Sequence, residues 1–432
     1  MSDKYEHMLV AWGYERNPYP AEAINRDSEP FNEAVFPVES EQFYSRLIYG
    51  AAMDERGFSF LWSKGKNGED TGMGKTTMLK QAAKAINFDL GTRVLREAGM
   101  REEIVNKHKA VAAYTSFNTT TITGIYPNLF SAVEYLADPR RGVGGESVLD
   151  ALRERIRSER QLKEGDFNGL RNAIYDSRRR LGATLAPLRD DVLEAFCQRE
   201  GNDFADWLAT EVSQASRIRN GLGYFDFAFT IAAAAGVRHL FVFVDQLEDL
   251  ASPQNVTKAK RTREVARFRD IISETEPFVG HIHFTFTFHS SAARALDEIW
   301  RPNRLPSYDP EDAANQGSIV ILRGIQDVDQ VRTLLTTYGD AVRSDPEENG
   351  KLTEFDESAL PVMLDHSCGR AGILLSDANR LVDRGADLEL SIIDGAFAAD
   401  VLGMNGPFRG KTFIRAGSPE GRDAHAIDDL LK

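Results

Sequence analysis

The chain has 432 residues, 42% hydrophobic and 27% charged, the balance of a globular protein long enough for two or three domains. A formal net charge of −14 argues against whole-surface binding to nucleic acid, so any such contact needs a local basic patch or a partner. The two cysteines, Cys197 and Cys368, are too far apart for a disulfide framework or a zinc spacing. No apolar run approaches the ~20 residues of a membrane span, and Met-Ser-Asp-Lys-Tyr-Glu-His lacks a leader's basic-then-apolar pattern. The expectation is a cytoplasmic protein with no membrane contact.

Residues 1–50 carry Asn17-Pro18-Tyr19-Pro20 and Phe36-Pro37 and read as a partly extended arm. Phe58 to Trp62 is a short apolar run that fits a buried strand. Gly68-Glu69-Asp70-Thr71-Gly72-Met73-Gly74-Lys75-Thr76-Thr77 then reads as a phosphate-binding loop. Gly72 and Gly74 let the backbone approach an anion, and successive N–H groups can cradle a β-phosphate. Lys75 adds a mobile charge for the β- and γ-phosphates, and the Thr76 hydroxyl can ligate Mg²⁺. The expected nucleotide-binding residues here are Thr71, Gly72, Met73, Gly74, Lys75, Thr76 and Thr77. Glu69 stands where the usual G-x-x-x-x-G-K-[ST] pattern has its first glycine, with Gly68 one residue early. Thr76 to Ile86 holds strong helix formers without a breaker, which supplies the required strand–loop–helix setting.

Lys109 to Phe117 reads as the second strand, followed by Thr119-Thr120-Thr121 and by a helix around Leu129 to Leu136. The long interval from Lys75 to Asp245 implies an insertion over residues 140–222, bounded by Gly142-Val143-Gly144-Gly145 and Gly221-Leu222-Gly223. Val148, Leu152 and Ile156 recur at helical spacing, as do Leu181, Leu185, Leu188, Val192 and Phe196. The segment carries Arg153, Arg155, Arg157, Arg160 and Arg178-Arg179-Arg180, interleaved with Glu154, Glu159 and Asp176. Two readings stand: a solvated helix face, or a surface for nucleic acid or a partner.

Leu240 to Val244 is apolar throughout and ends at Asp245, the pattern of a central parallel strand with a carboxylate at its ligand-binding end. Asp245 can hold Mg²⁺ opposite Thr76. Gln246 follows, where hydrolysis would place a proton acceptor, and Gln cannot serve. Glu248 is therefore the candidate catalytic base, with Asp249 behind it. The alternation from His281 to His289 is a period-two strand, and its histidines splay and make no metal site. Ala292–Trp300 reads as a helix, Ser318–Leu322 as the last core strand, and the residues from Asp327 as a helical lid. The tail from Asn405 has no periodicity and is expected to order only against a partner.

The phosphate loop and the run Val244-Asp245-Gln246-Leu247-Glu248-Asp249-Leu250 together resemble the AAA+ and STAND branch of P-loop ATPases. The D-Q-hydrophobic-E pattern is similar to STAND proteins, and the general layout over roughly residues 30–400 is similar to origin-recognition-type AAA+ proteins. That resemblance implies an α/β fold: a three-layer α/β/α P-loop core with a helical insertion and a C-terminal helical lid. It divides the chain into an arm (1–50), a core (51–325), a lid (326–402) and a tail (403–432). It implies that the arm packs near the adenine, although a docking arm is an equal reading. It also implies that His289 and Ser290 sense the γ-phosphate, that Arg370 reaches the nucleotide from the lid, and that Arg304 is a finger into a neighbouring subunit, with Arg301 second.

The expected catalytic set is thus Lys75, Asp245, Glu248 and Arg304, with Thr76 and Asp245 as metal residues and Mg-ATP as the cofactor. Two functional classes follow. One is an ATPase that controls a multi-protein assembly acting on nucleic acid or in defence against foreign DNA. The other is a slow or non-hydrolysing regulatory switch. Both require ATP or ADP and a homo-oligomer or a hetero-complex.

Overall fold

The computed structural model describes residues 3–21, 32–54, 57–64, 71–117, 124–142, 144–181, 185–251, 257–275, 281–287, 289, 292–309 and 317–404. Gly68-Glu69-Asp70, Thr119 to Thr121, Ser290 and the tail from Asn405 lie outside them. The chain forms two compact units. The described residues of Ala23–Gln326 and Gly369–Gly372 make the larger, and those of Met1–Glu22, Asp327–Cys368 and Ile373–Lys432 make the smaller.

The larger unit is built on one sheet. Its strands are β1 (Phe58–Ser63), β2 (Ala110–Ser116), β3 (His239–Asp245), β4 (His281–Thr287) and β5 (Ile319–Leu322). They lie in the order β2-β3-β4-β1-β5, and every pairing is parallel. Parallel sheets need both faces covered, and the sequence supplies this. Every residue of β3 and β4 is buried, which is why β3 reads as a continuous apolar run. The result is an α/β/α core of helical layers around a parallel sheet.

The two faces differ in chemistry. The register aligns Phe58 with Phe284 and Phe60 with Phe286 on one face. Phe268, from the helix Lys258–Thr275, and Trp300, at the end of the helix Ala293–Trp300, pack edge-on against Phe286 there, with ring centroids 5.0 and 5.6 Å away. The opposite face holds Ser63, Tyr114, Ser116, Asp245 and Thr287 near the C-terminal strand ends, and His239, His281 and His283 at the other end. Edge strand β2 is protected by a side chain: the amide of Asn87 donates to the Ala112 carbonyl and accepts from its N–H, both at 2.8 Å.

Helix α1 (Lys75–Phe88) follows the phosphate loop. Among the described residues, six α-helices lie between β2 and β3: α2 (Ile125–Ala137), α3 (Val148–Glu159), α4 (Phe167–Leu181), α5 (Asp190–Gln198), α6 (Asn202–Thr210) and α7 (Gln214–Ala234). Two details differ from the sequence expectation. The leucine series from Leu181 to Phe196 is not one helix, because α4 ends at Leu181 and α5 starts at Asp190. Pro187 lies in the interval, and the N–H of Leu185 is spent on Asp226 Oδ1 at 2.8 Å. The glycines expected to close the insertion, Gly221 and Gly223, sit inside α7. A Cβ at Gly221 would stand 1.9 Å from the Tyr126 carbonyl oxygen, so glycine serves close helix packing here, not a break. Helices α8 (Lys258–Thr275) and α9 (Ala293–Trp300) flank β4 in sequence.

The smaller unit gathers helices Asp3–Ala11, Val328–Asp340, Ala359–Ser367 and Gly395–Val401, with most of Ala371–Asp387. Its centre is Glu354, fully buried between two phenols. Tyr14 and Tyr19 donate to its two oxygens at 2.8 and 2.5 Å. Within residues 1–50, the described residues up to Ala21 therefore belong with this helical unit, and those from Asn32 belong with the sheet.

The histidine end of the sheet carries a measurable consequence. His239 is fully buried, with its two ring nitrogens 2.9 Å from nitrogens of His108 and His283. Burial first, then His283, His108, His281 and Arg238, push its pKa far below the usual histidine range. The folded state excludes a proton that the unfolded chain binds below about pH 6.5, so stability falls as pH drops through that value. We expect wild type to lose about 1.4 kcal/mol per pH unit below ~6.5 from this residue alone. His239→Gln should remove that part of the slope in urea unfolding at pH 7.5, 6 and 5, and an unchanged slope would refute the assignment.

Candidate functional site

The C-terminal ends of β1, β2, β3 and β4 deliver Ser63, Tyr114, Ser116, Asp245 and Thr287 to one face, where α1 begins. Gly72 and Gly74 have φ of +70° and +92°, a region glycine enters without Cβ strain. They bring the turn directly into α1, so that the helix N-terminus faces the loop. Lys75, only 8% exposed, donates to Ser63 Oγ at 2.7 Å. Met73 is buried behind the loop, against Gly324.

Asp245 is the hub. Thr76 Oγ1 donates to Oδ2 at 2.5 Å, and the Tyr114 phenol donates to the same oxygen at 3.0 Å. Thr287 Oγ1 and the N–H of Gln246, the latter at 3.1 Å, donate to Oδ1. The expected pair of Thr76 and Asp245 is thus in direct contact. Tyr114, Thr287 and Ser63 were not read from sequence as site residues. The period-two register of β4 against β3 is the signal that would have found Thr287.

Gln246 adopts φ +58°, unusual for a residue with a side chain, and accepts from Ser116 Oγ at 2.8 Å. That turn carries the chain to Glu248, which is 3.1 Å from His289 Nε2. Burial raises the pKa of Glu248, while His289 and Lys75 pull it down and Asp245 adds to the rise. Its Oε2 is buried with no hydrogen-bond partner among the described residues. Asp249 is also raised by burial. Burial thus raises both carboxyls above the usual carboxylate range. His289 therefore meets Glu248.

Arg370 belongs to the four-residue stretch Gly369–Gly372 of the core unit, where the N–H of Gly372 donates to the Gly72 carbonyl at 3.0 Å. Its backbone thus sits beside the phosphate loop. Thr71 and Thr77 flank the same turn, both partly exposed. Arg304 is exposed, at φ +53°, after the short 3₁₀ turn Arg301–Asn303. Arg301 is tied to Asp297 at 2.6 Å.

The arginines of the insertion point to structure. Arg153 is 1% exposed and donates to the carbonyls of Phe196 and Arg199, besides pairing with Asp150. Arg157 pairs with Glu154 and Glu200, Arg155 bonds the Ala235 carbonyl, and Arg178 pairs with buried Asp226. Arg179 and Arg180 remain exposed. Sequence reading missed a basic run on α8, where Glu264 is the single acid among Lys258, Lys260, Arg261, Arg263, Arg267 and Arg269; of these Lys258, Lys260, Arg263 and Arg269 are exposed.

Among the described residues no group of histidines, cysteines and carboxylates makes a metal centre of its own. The pairing of a hydroxyl with a carboxylate still suits a hard divalent cation, which takes oxygen donors and keeps much of its water. No described helix is long and apolar enough to cross a membrane.

The fold and site have the strand–glycine loop–helix arrangement of a P-loop on an α/β/α core. No family model matches the chain, and no curated protein matches it. The chain is similar to the Aeropyrum pernix ORC2 protein, solved as ADPNP and ADP complexes, with 12% identity and a TM-score of 0.44 over 88% of this chain and 70% of that one. It is also similar to Drosophila ORC bound to DNA, with 12% identity and a TM-score of 0.38 over 100% of this chain and 73% of that one.

Proposed function

We propose that the protein is an AAA+/STAND-like ATPase that binds Mg-ATP and uses nucleotide binding and hydrolysis to control a multi-protein assembly acting on nucleic acid. The observation that carries this reading is the contact of Thr76, on the first turn after the phosphate loop, with Asp245 at the end of the central strand. Two glycines at positive φ, a buried lysine and a helix N-terminus complete an anion site next to that pair.

Each residue has a role that follows from its chemistry. The N–H groups of Thr71 to Thr77 hold the phosphates. Lys75 leaves Ser63 and neutralises phosphate charge. Bound Mg²⁺, taken by Thr76 and Asp245, would supply charge neutralisation of the β- and γ-phosphates. Glu248 accepts the proton of the attacking water, and His289 orients that carboxylate. Arg370 brings a guanidinium near the γ-phosphate, and the position of Ser290 in sequence assigns it to the same region.

A second reading is favoured by one observation. Gln246 stands directly after Asp245 and is held by Ser116, so the residue nearest the metal carboxylate cannot act as a base. That arrangement suits a slow switch that holds its nucleotide. Lys75→Ala should nearly abolish binding of a labelled ATP analogue while leaving the thermal melt within a few degrees of wild type. Glu248→Gln should spare binding and lower turnover by at least about tenfold. Undiminished turnover in Glu248→Gln would remove Glu248 as the base, and negligible turnover of the wild type would leave the switch reading standing.

Assembly enters through Arg304. A guanidinium donated to a neighbouring subunit makes hydrolysis depend on protein concentration. We expect specific activity to fall on dilution, and Arg304→Ala to bind ATP normally but lose most of its turnover at every concentration. Full activity of Arg304→Ala would remove this arginine from the site.

Nucleic-acid contact falls to α8 and not to the insertion, where Arg153, Arg157 and Arg178 are spent internally. Lys260 and Arg263 are exposed and have no ion-pair partner among the described residues. The charge-reversed pair Lys260→Glu with Arg263→Glu should weaken oligonucleotide binding and lower the salt dependence by about two charges. The pair Arg179→Glu with Arg180→Glu should not. The reverse result would return the contact to the insertion.

A further inference from the structure

We propose that the Tyr114 phenol is a positioning residue that competes with the divalent cation for Asp245 and so sets how much metal the site requires. The inference rests on the nucleotide-binding reading above and adds a control on its metal.

The argument begins with a count. An ionised carboxylate offers about four lone-pair positions. Asp245 already accepts four hydrogen bonds, from Thr76 Oγ1, Tyr114 Oη, Thr287 Oγ1 and the Gln246 N–H. A metal held through water needs this carboxylate to accept a hydrogen from that water. With four donors in place no acceptor position is left, so one of them has to withdraw.

The four donors are not equally able to do so. The Gln246 N–H belongs to the backbone next to Asp245, in a turn fixed at φ +58°. It also lies 3.3 Å from Thr287 Oγ1, which ties these two donors to each other. Thr76 can keep donating its hydrogen while its oxygen lone pairs accept the cation, so its bond does not conflict with metal. Tyr114 is different. It reaches across from β2 on a long side chain, is only partly buried, and makes the longest side-chain bond of the three, at 3.0 Å. Its phenol hydrogen fills Oδ2. The ring stays in place by contact with Tyr135, centroids 6.3 Å apart, and with the Lys80 ammonium 5.1 Å from its centre. Withdrawal of the hydroxyl needs a small rotation and no change in the strand.

The test uses the full chain and a fluorescent, non-hydrolysable ATP analogue. Binding is measured first in EDTA and then along a Mg²⁺ titration, with Mn²⁺ paramagnetic resonance as a direct count of bound metal. Tyr114→Phe removes one oxygen and keeps the ring. It should leave affinity in EDTA unchanged and lower the half-saturating metal concentration by about tenfold, the scale of one hydrogen bond to a charged group. Tyr114→Leu, which also removes the ring, should shift in the same direction. Added to Thr76→Val, the Tyr114 change should have no effect, because the metal then lacks its hydroxyl ligand. A metal requirement that is unchanged or raised in Tyr114→Phe overturns the proposal while leaving the nucleotide site intact. Failure of wild type to bind the analogue, with or without metal, overturns the nucleotide reading and this inference together.

Discussion

The convergence of hydroxyl groups on one buried carboxylate, Asp245, organises the core. A charged carboxylate under helices is costly unless its lone pairs are satisfied. Here the satisfaction comes from four different elements: helix α1 through Thr76, β2 through Tyr114, β4 through Thr287, and the turn after β3. These bonds fix the register of three adjacent strands at their functional end. They also place the first turn of α1, and with it Lys75 and the phosphate loop, within reach of the same carboxylate. The site and the sheet are therefore one construction.

Polar groups on the sheet face are sorted by position along the strands. The C-terminal end carries hydroxyls and a carboxylate that can meet an anion with its cation. The N-terminal end carries the imidazole series His108, His239 and His283, whose nitrogens satisfy one another at 2.9 Å. Between them Phe241 and Phe243 close the core, Phe43 packing over Phe243 with ring centroids 6.1 Å apart. The opposite face is aromatic and apolar. A period of two in β4 thus serves two purposes, burying phenylalanines on one side and presenting polar groups on the other.

Charge is distributed with similar economy. The insertion between β2 and β3 is rich in arginine, yet Arg153, Arg157 and Arg178 satisfy carbonyls and carboxylates inside it. A guanidinium has five donors in a plane and suits this work, since one residue can close several helix ends at once. On α8, by contrast, Lys260 and Arg263 are exposed to solvent. Composition alone makes the two clusters equivalent, and only burial separates them.

The sequence by itself determined the elements and the class. Alternating and continuous apolar runs announced the five strands to within a residue or two, and the glycine–lysine–threonine loop before a helix announced an anion site. Local chemistry sufficed there because a phosphate loop is built from consecutive residues. The resemblance to origin-recognition-type AAA+ proteins was legible for the same reason. What tertiary structure alone decided was which distant residues share a point in space. Tyr114 and Thr287 meet Asp245 only because β2, β3 and β4 are neighbours in register, and no local pattern marks either residue. The helical spacing from Leu181 to Phe196 spans two helices, because periodicity is blind to a backbone N–H spent on Asp226. Gly221 was misread as a boundary because a glycine needed for helix contact looks, in sequence, like a glycine needed for a turn.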